Sequence, residues 1–431
     1  MGTIFLADTI YGKRPNTVHS EEMVRKIGIE CLYYITHIDN VKSILHNGIL
    51  SHSEISRSDL QPSVIYNQQV IDRRGSKTLP NGKRLWDYAN LYFQPRNAML
   101  YSLVCKYQNT GKDLVILSVK KTIIDSKHGV FITDGNAANH ETEFYALGDL
   151  NESAKQDLFK RLRKQIDNDW WNREDGSKRK IMAECLIPKK VAPSYIQGVY
   201  VACDTIKQRV NDIINSSDTL TARKITVAIE PKMFFRPDSR SRIGKKISLV
   251  NGDLFFSRMQ TLTISVNCVG VMGAGLASTA KYRFPDMYVK YQDLCKHKKL
   301  AYGSLYVYKR ESSVFADLAD EYVPLEDIES ASQTWFLLFP TKEHWRNKSD
   351  IDGIERGLQW LVDNYKAQGI ESLAIPALGC GKGGLTWDVV GPLMCKYLIQ
   401  MDIDVAIYLP AEKNIPNSQT TPDFLLSAVD F

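Results

Sequence analysis

At 431 residues the chain is longer than a single hydrophobic core usually grows, which is about 250 to 300 residues, so two domains are expected. Its 44% hydrophobic and 24% charged residues exclude a disordered, fibrous or low-complexity chain. The net charge of +6 is uneven: residues 1–244 hold 36 Lys and Arg against 27 Asp and Glu, whereas residues 245–431 hold 19 against 22. A basic N-terminal half either meets a polyanion or carries a solvated basic surface.

The N-terminus, MGTIFLADTIYGKRPN, lacks the basic start and long apolar run of a secretory signal, and Leu6 breaks the myristoylation pattern. No apolar run approaches the roughly 18 to 20 residues that span a bilayer. The 8 cysteines form no CxxC pair and no zinc-ligand spacing, which predicts reduced thiols in a cytoplasmic chain without a metal site. In chain order, CLYYITHI (31–38) reads as a strand entering a helix, VKSILHNG, that stops at Gly48. DLVILSVKK (113–121) is a second strand, 152–167 a polar, basic helix, and KRKIMAECLIP (178–188) and GVYVAC (198–203) are further strands. EPKMFFRPDSRSRIGKK (Glu230 to Lys246), with two prolines and no apolar periodicity, reads as a connection. The expected units are therefore 1–235 and 247–431, with 236–246 as linker. Beyond it, five apolar strands (261–269, 304–309, 334–340, 372–378 and 404–410) alternate with helical stretches, one ending at Gly369, as in a mainly parallel sheet covered on both faces.

Two glycine loops, NCVGVMGAGLA (267–277) and PALGCGKGGL (376–385), each follow a strand and open a helix. Such loops let backbone N–H groups approach a phosphate at a helix N-terminus, and loops at the carboxyl ends of neighbouring strands converge on one crevice. Neither matches the triphosphate-binding GxxxxGK[ST] pattern. With LVNGDLF and FPTKEHWR these segments resemble a macrodomain of the DarG antitoxin type over about 247–411. The resemblance implies that Asp253 binds the adenine amine of ADP-ribose and that Asn267 lies by the distal ribose. It implies further that Gly273, Gly275, Gly379, Gly381 and Gly383 hold the diphosphate, and that Lys342 acts on the ribose anomeric carbon. Read without the family, Lys342 is either a desolvated, nucleophilic amine or a lysine at an ordinary strand end. The second loop reads Cys380, Gly381, Lys382 where some lysine-using macrodomains carry an aspartate, so hydrolysis and pure ADP-ribose reading both stay open.

In the first half, His37 and Asn40 flank a strand-to-helix junction, Arg96 stands among Trp86, Tyr88, Tyr92, Phe93 and Tyr101, and Glu184 interrupts an apolar run. A carboxylate in such a run is costly unless it is paired or functional. In this order the segments resemble DarT-type DNA ADP-ribosyltransferase toxins over about 30–230, with Cys185 where an aromatic is more usual. The resemblance implies NAD as substrate and single-stranded DNA, thymine in the best-known branch, as acceptor; RNA and protein are the rival acceptors. It implies that His37 and Asn40 hold the nicotinamide side, that Arg96 contacts phosphate and the base, and that Glu184 is catalytic; Glu141 and Glu143 are rival acids. Lys155, Lys160, Arg161, Arg163, Lys164, Arg173, Lys178, Arg179 and Lys180 around Trp170 and Trp171 suit single-stranded DNA, or form a solvated helix face with core tryptophans. The expected fold is an α+β ADP-ribosyltransferase domain followed by an α/β macrodomain, a mostly parallel mixed sheet between helices. The expected activity is a fused toxin–antitoxin, in which intramolecular contact between writer and eraser is possible.

Overall fold

β-Branched and aromatic residues crowd CLYYITH, and Cys31–His37 forms the strand β1 at the centre of the first sheet. The computed structural model describes residues 30–65, 68–107, 113–172, 174–218, 222–319, 333–410 and 413–427; the N-terminal segment read above and Arg173 lie outside them. After β1 come β2 (Ile49–Leu50), β3 (Tyr88–Tyr92), β4 (Leu114–Lys120), β5 (Phe131–Thr133), β6 (Phe144–Ala146), β7 (Glu184–Pro188), β8 (Lys190–Val191), β9 (Ile196–Val201) and β10 (Thr226–Ile229). Eight of these make one sheet in the order β10-β9-β4-β1-β3-β7-β5-β6, antiparallel except for β9 with β10, while β2 and β8 pair separately. β1 and β3 pair at one position, Tyr33 opposite Tyr92, whereas β1 and β4 pair along their whole length. The sheet is therefore loosely joined between the strand that ends at His37 and the strand that precedes Glu184. KRKIMAECLIP divides into a short helix, Ser177–Lys180, and β7, because Gly176 with φ 72° starts a turn that consecutive basic residues continue.

The second sheet contains β11 (Ser239–Arg242), β12 (Ile247–Asn251), β13 (Thr261–Asn267), β14 (Tyr306–Lys309), β15 (Trp335–Lys342), β16 (Ser372–Pro376) and β17 (Asp404–Tyr408). Its order is β11-β12-β17-β16-β13-β15-β14, with the five central strands parallel and β11 and β14 antiparallel at the edges. The expected α+β half followed by an α/β half is thus what the chain forms. The 236–246 segment differs from a free linker, since β11 lies within it and pairs from Ser239 opposite Asn251 to Arg242 opposite Ser248. All four β11 side chains are exposed. The strand is held by backbone hydrogen bonds alone, so its side chains give no apolar signal.

The two halves share a core. One contiguous buried cluster runs from Leu100, Tyr101 and Trp171 through Phe234 and Phe235 to Phe255, Phe284 and Phe315. Tyr101 lies 5.0 Å from Phe235 edge-on and stacks at 6.0 Å on Phe315, and the Trp171 indole N–H donates to the Leu318 carbonyl at 2.8 Å. Trp170 packs against Phe256 and Phe284 at 5.5 Å each. Trp171 is therefore buried in the seam between the halves, and Trp170 packs into the same seam while staying partly exposed.

Because the core is continuous, the full chain is expected to unfold in one calorimetric transition. Trp171→Ala is expected to lower the stability of the whole by about 3 to 5 kcal/mol, the cost of truncating a buried large aromatic. Two separated transitions in the wild-type chain would contradict the shared core.

Candidate active sites

Glu184 opens β7 and is fully buried, at 0% exposure, so its charge must be met inside the protein. Arg74 meets it bidentately, at 3.1 and 2.6 Å, from the helix Gln68–Ser76. Asn90 Nδ2 on β3 donates at 2.6 Å, and the backbone N–H of Ala137 at 2.9 Å. Four donors thus hold one carboxylate in a single orientation, and the Ala137 contact ties the 131–150 loop to it. The same loop is braced from below by Arg179, which pairs with Asp134 at 2.7 Å. Arg179 and the buried Lys178 are accordingly internal. Cys185 alternates to the opposite face, into the core, so its departure from the usual aromatic falls outside the Glu184 site. Glu141 is largely exposed beside Arg179, and Glu143 accepts from the Tyr145 hydroxyl near the surface.

His37 ends β1, buried at 8%, and its Nδ1 accepts from the Asp39 N–H at 3.3 Å. Asn40 caps the following helix by position only. Its Nδ2 donates to Thr36 Oγ1 at 3.0 Å and to the Ser63 carbonyl at 2.9 Å, and its Oδ1 accepts from the Ser63 N–H at 2.8 Å. Its visible work is to pin the 63 segment beside β1. On the helix Glu152–Ile166, Lys160, Arg161 and Lys164 are exposed and line a groove with Tyr145, over whose ring Arg161 lies at 5.8 Å.

The second half carries a cavity of about 1080 Å³ at the carboxyl ends of its parallel strands, lined by Asn251, Asn267, Lys342, Pro376 and Tyr408. Both glycine loops reach it, through Gly273, Gly275, Gly379, Gly381 and Gly383. Gly275 has φ 58° where the helix Gly275–Arg283 begins. A Cβ on Gly383 would lie 2.3 Å from the Gly379 carbonyl oxygen and from Ser349 Oγ, so only glycine closes that loop. Asn267 spends its side chain on the first loop: Nδ2 donates to the Val271 carbonyl at 2.5 Å, and Oδ1 accepts from the Val269 N–H at 3.0 Å and the Tyr291 hydroxyl at 2.9 Å. Asn267 therefore shapes the loop that borders the cavity.

Lys342 ends β15, opposite Asn267 in the register of β13. Its ammonium donates to the Lys382 carbonyl at 2.8 Å, and burial pushes its pKa below the ordinary 10.5. Asp253 accepts from the Phe255 N–H at 2.9 Å and from Arg283 at 2.7 Å. Arg283 also faces Asp169 of the first half at 3.5 Å and lies 4.3 Å over the Trp170 ring. Arg96 enters this same cavity. Its guanidinium stacks over Phe235 at 4.8 Å and Phe256 at 5.2 Å, while the arginine on Glu184 is Arg74.

Sequence reasoning missed Arg74 and Asn90. A buried glutamate demands a cationic partner, but Arg74 lies 110 residues away in a polar helix with no local mark. Among the described residues, no group of His, Cys, Asp and Glu is arranged to hold a metal ion, and no helix is long and apolar enough to cross a membrane.

The family described as ssDNA thymidine ADP-ribosyltransferase, DarT, matches residues 33–235, and the Macro domain matches 330–394. The chain is 52% identical over 397 residues to a DNA ADP-ribosyl transferase-DNA ADP-ribosyl glycohydrolase fusion protein of Thermosipho africanus, covering 92% of this chain and 98% of the relative. It is 34% identical over 166 residues to a DNA ADP-ribosyl glycohydrolase of Mycobacterium tuberculosis, covering 38% of this chain and 42% of that one. The solved structure of Thermosipho africanus DarTG in complex with ADP-ribose superposes with a TM-score of 0.82 at 50% identity, over 92% of this chain and all of the other.

Replacing Arg74 with alanine strands a buried carboxylate, and is expected to cost about 3 to 5 kcal/mol in denaturant unfolding. Glu184→Gln, which stays hydrogen-bonded, is expected to cost less. The reverse order would mean that Arg74 does not carry the Glu184 charge.

Proposed function

The chain belongs to the family of DNA ADP-ribosyl transferase–DNA ADP-ribosyl glycohydrolase fusion proteins, and from that premise we propose that its first half writes ADP-ribose onto a thymidine base of single-stranded DNA and its second half removes it. What carries the reading is the presence in one chain of a buried, four-fold held carboxylate and a glycine-walled cavity with a desolvated lysine. We take residues 1–235 as the transferase unit and 247–431 as the macrodomain, with β11 a part of the latter's sheet.

In the writing step the nicotinamide leaves NAD with the electron pair of its bond to ribose, the thymine ring nitrogen forms the new bond to the anomeric carbon, and the Glu184 carboxylate assists removal of that nitrogen's proton, which passes on to solvent. Positive charge develops on the ribose, and the Glu184 carboxylate, already oriented by Arg74, Asn90 and Ala137, stabilises it without reorganising. Arg74, and not Arg96, is the arginine paired with Glu184, and it stands beside the reacting centre. His37 serves the nicotinamide side, with Asn40 fixing the adjoining backbone. Lys160, Arg161 and Lys164 neutralise DNA phosphates while Tyr145 offers a ring to a base.

In the erasing step the Lys342 amine attacks the anomeric carbon, the base departs with a proton, and water releases ADP-ribose and restores the amine. The charged form cannot attack, so the lowered pKa of Lys342 increases the reactive fraction at neutral pH. NAD and DNA are the substrates, both cytoplasmic, and the cytoplasm is the proposed location. A chain that writes and erases the same mark is a self-restrained toxin–antitoxin.

The test is mass spectrometry of a thymidine-containing oligonucleotide incubated with NAD. Lys342→Ala is expected to accumulate an ADP-ribose adduct that the Glu184→Gln, Lys342→Ala double variant lacks. Adduct on RNA or protein alone, or none on any polymer, would remove the proposed acceptor. On pre-modified DNA, erasure is expected to quicken as pH rises, with a midpoint below 10.5. Erasure that slows with rising pH would contradict an amine nucleophile.

A further inference from the structure

The cavity of about 1080 Å³ is larger than most single-domain ligand sites, about 300 to 1,000 Å³, and its wall is not built by the second half alone. Arg96 and Asp169 of the first half line it, as do Phe235 and Arg236 of the junction. Phe235 holds a left-handed backbone, φ 56° and ψ 24°, a conformation that an aromatic residue rarely adopts. The strain seats its ring 5.1 Å from Phe256 and under the Arg96 guanidinium. Among the described residues Arg96 makes no close ion pair, although the Asp169 and Asp253 carboxylates attract it from farther off, and its Nε is buried without a hydrogen-bond acceptor. A largely desolvated guanidinium with a buried N–H that meets no acceptor is costly. Its planar donors, stacked on two rings, point to an acceptor that arrives from outside the protein.

We infer that Arg96 and the Phe235 wall bind the adenine end of ADP-ribose, so that the eraser's cavity is completed by the writer's half. This rests on reading the cavity as the ADP-ribose site. The glycine loops offer backbone N–H groups to the diphosphate. At the other end lie the Asp253 carboxylate, which pairs with Arg283 at 2.7 Å and can also accept from an amine, and the Arg96 donors. A purine that carries an exocyclic amine and ring-nitrogen acceptors satisfies both at once. A planar base also extends the stack that Arg96, Phe235 and Phe256 begin.

The placement also links the two active sites by a short stretch of chain. Asn90 bonds Glu184, the Phe93 N–H donates to the Ala183 carbonyl at 3.3 Å, Gln94 bonds the Ile166 carbonyl at 3.0 Å, and Arg96 reaches the cavity. Only five residues thus lie between Asn90, on the transferase carboxylate, and Arg96, at the cavity.

Titration calorimetry on the full chain distinguishes the ends of the ligand. Arg96→Gln is expected to weaken ADP-ribose and AMP by about tenfold, the loss of a charged hydrogen bond, and to leave ribose 5-phosphate unchanged. Uniform weakening of all three would mean a structural role only and would overturn the inference, as would unchanged affinity for AMP. On the wild-type chain, ADP-ribose is expected to slow amide exchange in 93–101 and 232–236 as well as in the glycine loops. Protection confined to residues beyond 247 would overturn the inference even if the variant failed to fold. A wild-type chain that binds no ADP-ribose at all would instead remove the reading of the cavity itself, and the inference with it.

Discussion

The aromatic seam formed by Tyr101, Trp171, Phe235, Phe256 and Phe315 is the constraint on which the rest of this molecule depends. Pairs of rings at these separations add about 0.5 to 1.5 kcal/mol each beyond the area they bury. Polar contacts fix the angle at which the halves meet: Trp171 to the Leu318 carbonyl, and Arg283 between Asp169 and Asp253. A flexible tether between writer and eraser would set only their local concentration, at about millimolar. A shared core also fixes which surfaces face each other, and here it brings Arg96 and Asp169 to the rim of the eraser's cavity.

The two active sites solve opposite electrostatic problems. The transferase buries a carboxylate and surrounds it with donors, so Glu184 is held in one orientation before any substrate arrives. The macrodomain partly buries a cation and gives it a single carbonyl, so Lys342 is pushed toward its neutral, nucleophilic form. The first arrangement suits stabilisation of a developing positive charge; the second suits attack on an electrophilic carbon. The glycine loops between them need no charge of their own, because their backbone N–H groups are enough for a diphosphate.

Much of this was legible in the sequence, and the exceptions have physical causes. The second half announced itself because buried parallel strands are continuous apolar runs, and because Gly275 turns at φ 58° while Gly383 has no room for a Cβ. Glu184 stood out as a carboxylate inside an apolar run. Its partner Arg74 did not, because an ion pair across 110 residues leaves no periodic trace. Arg96 was recognisable as an arginine among aromatics, but its neighbours in sequence are not the rings it stacks on: Phe235 and Phe256 come from far along the chain. Trp170 and Trp171 suggested a nucleotide platform among basic residues, and the seam claimed them instead. Strand β11 escaped because its exposed Ser and Arg side chains carry no alternation, its order coming from the backbone of β12.

One folded body holds both the writer and the eraser of a mark on single-stranded DNA. A time course of the wild-type chain with a thymidine-containing oligonucleotide and a limiting amount of NAD tests it most directly, with adduct and free ADP-ribose followed by mass spectrometry. The adduct is expected to rise while NAD lasts and then to decay to unmodified oligonucleotide, with ADP-ribose released in matching amount. An adduct that forms and then persists after NAD is exhausted, or free ADP-ribose produced at the same rate without any oligonucleotide, would contradict it.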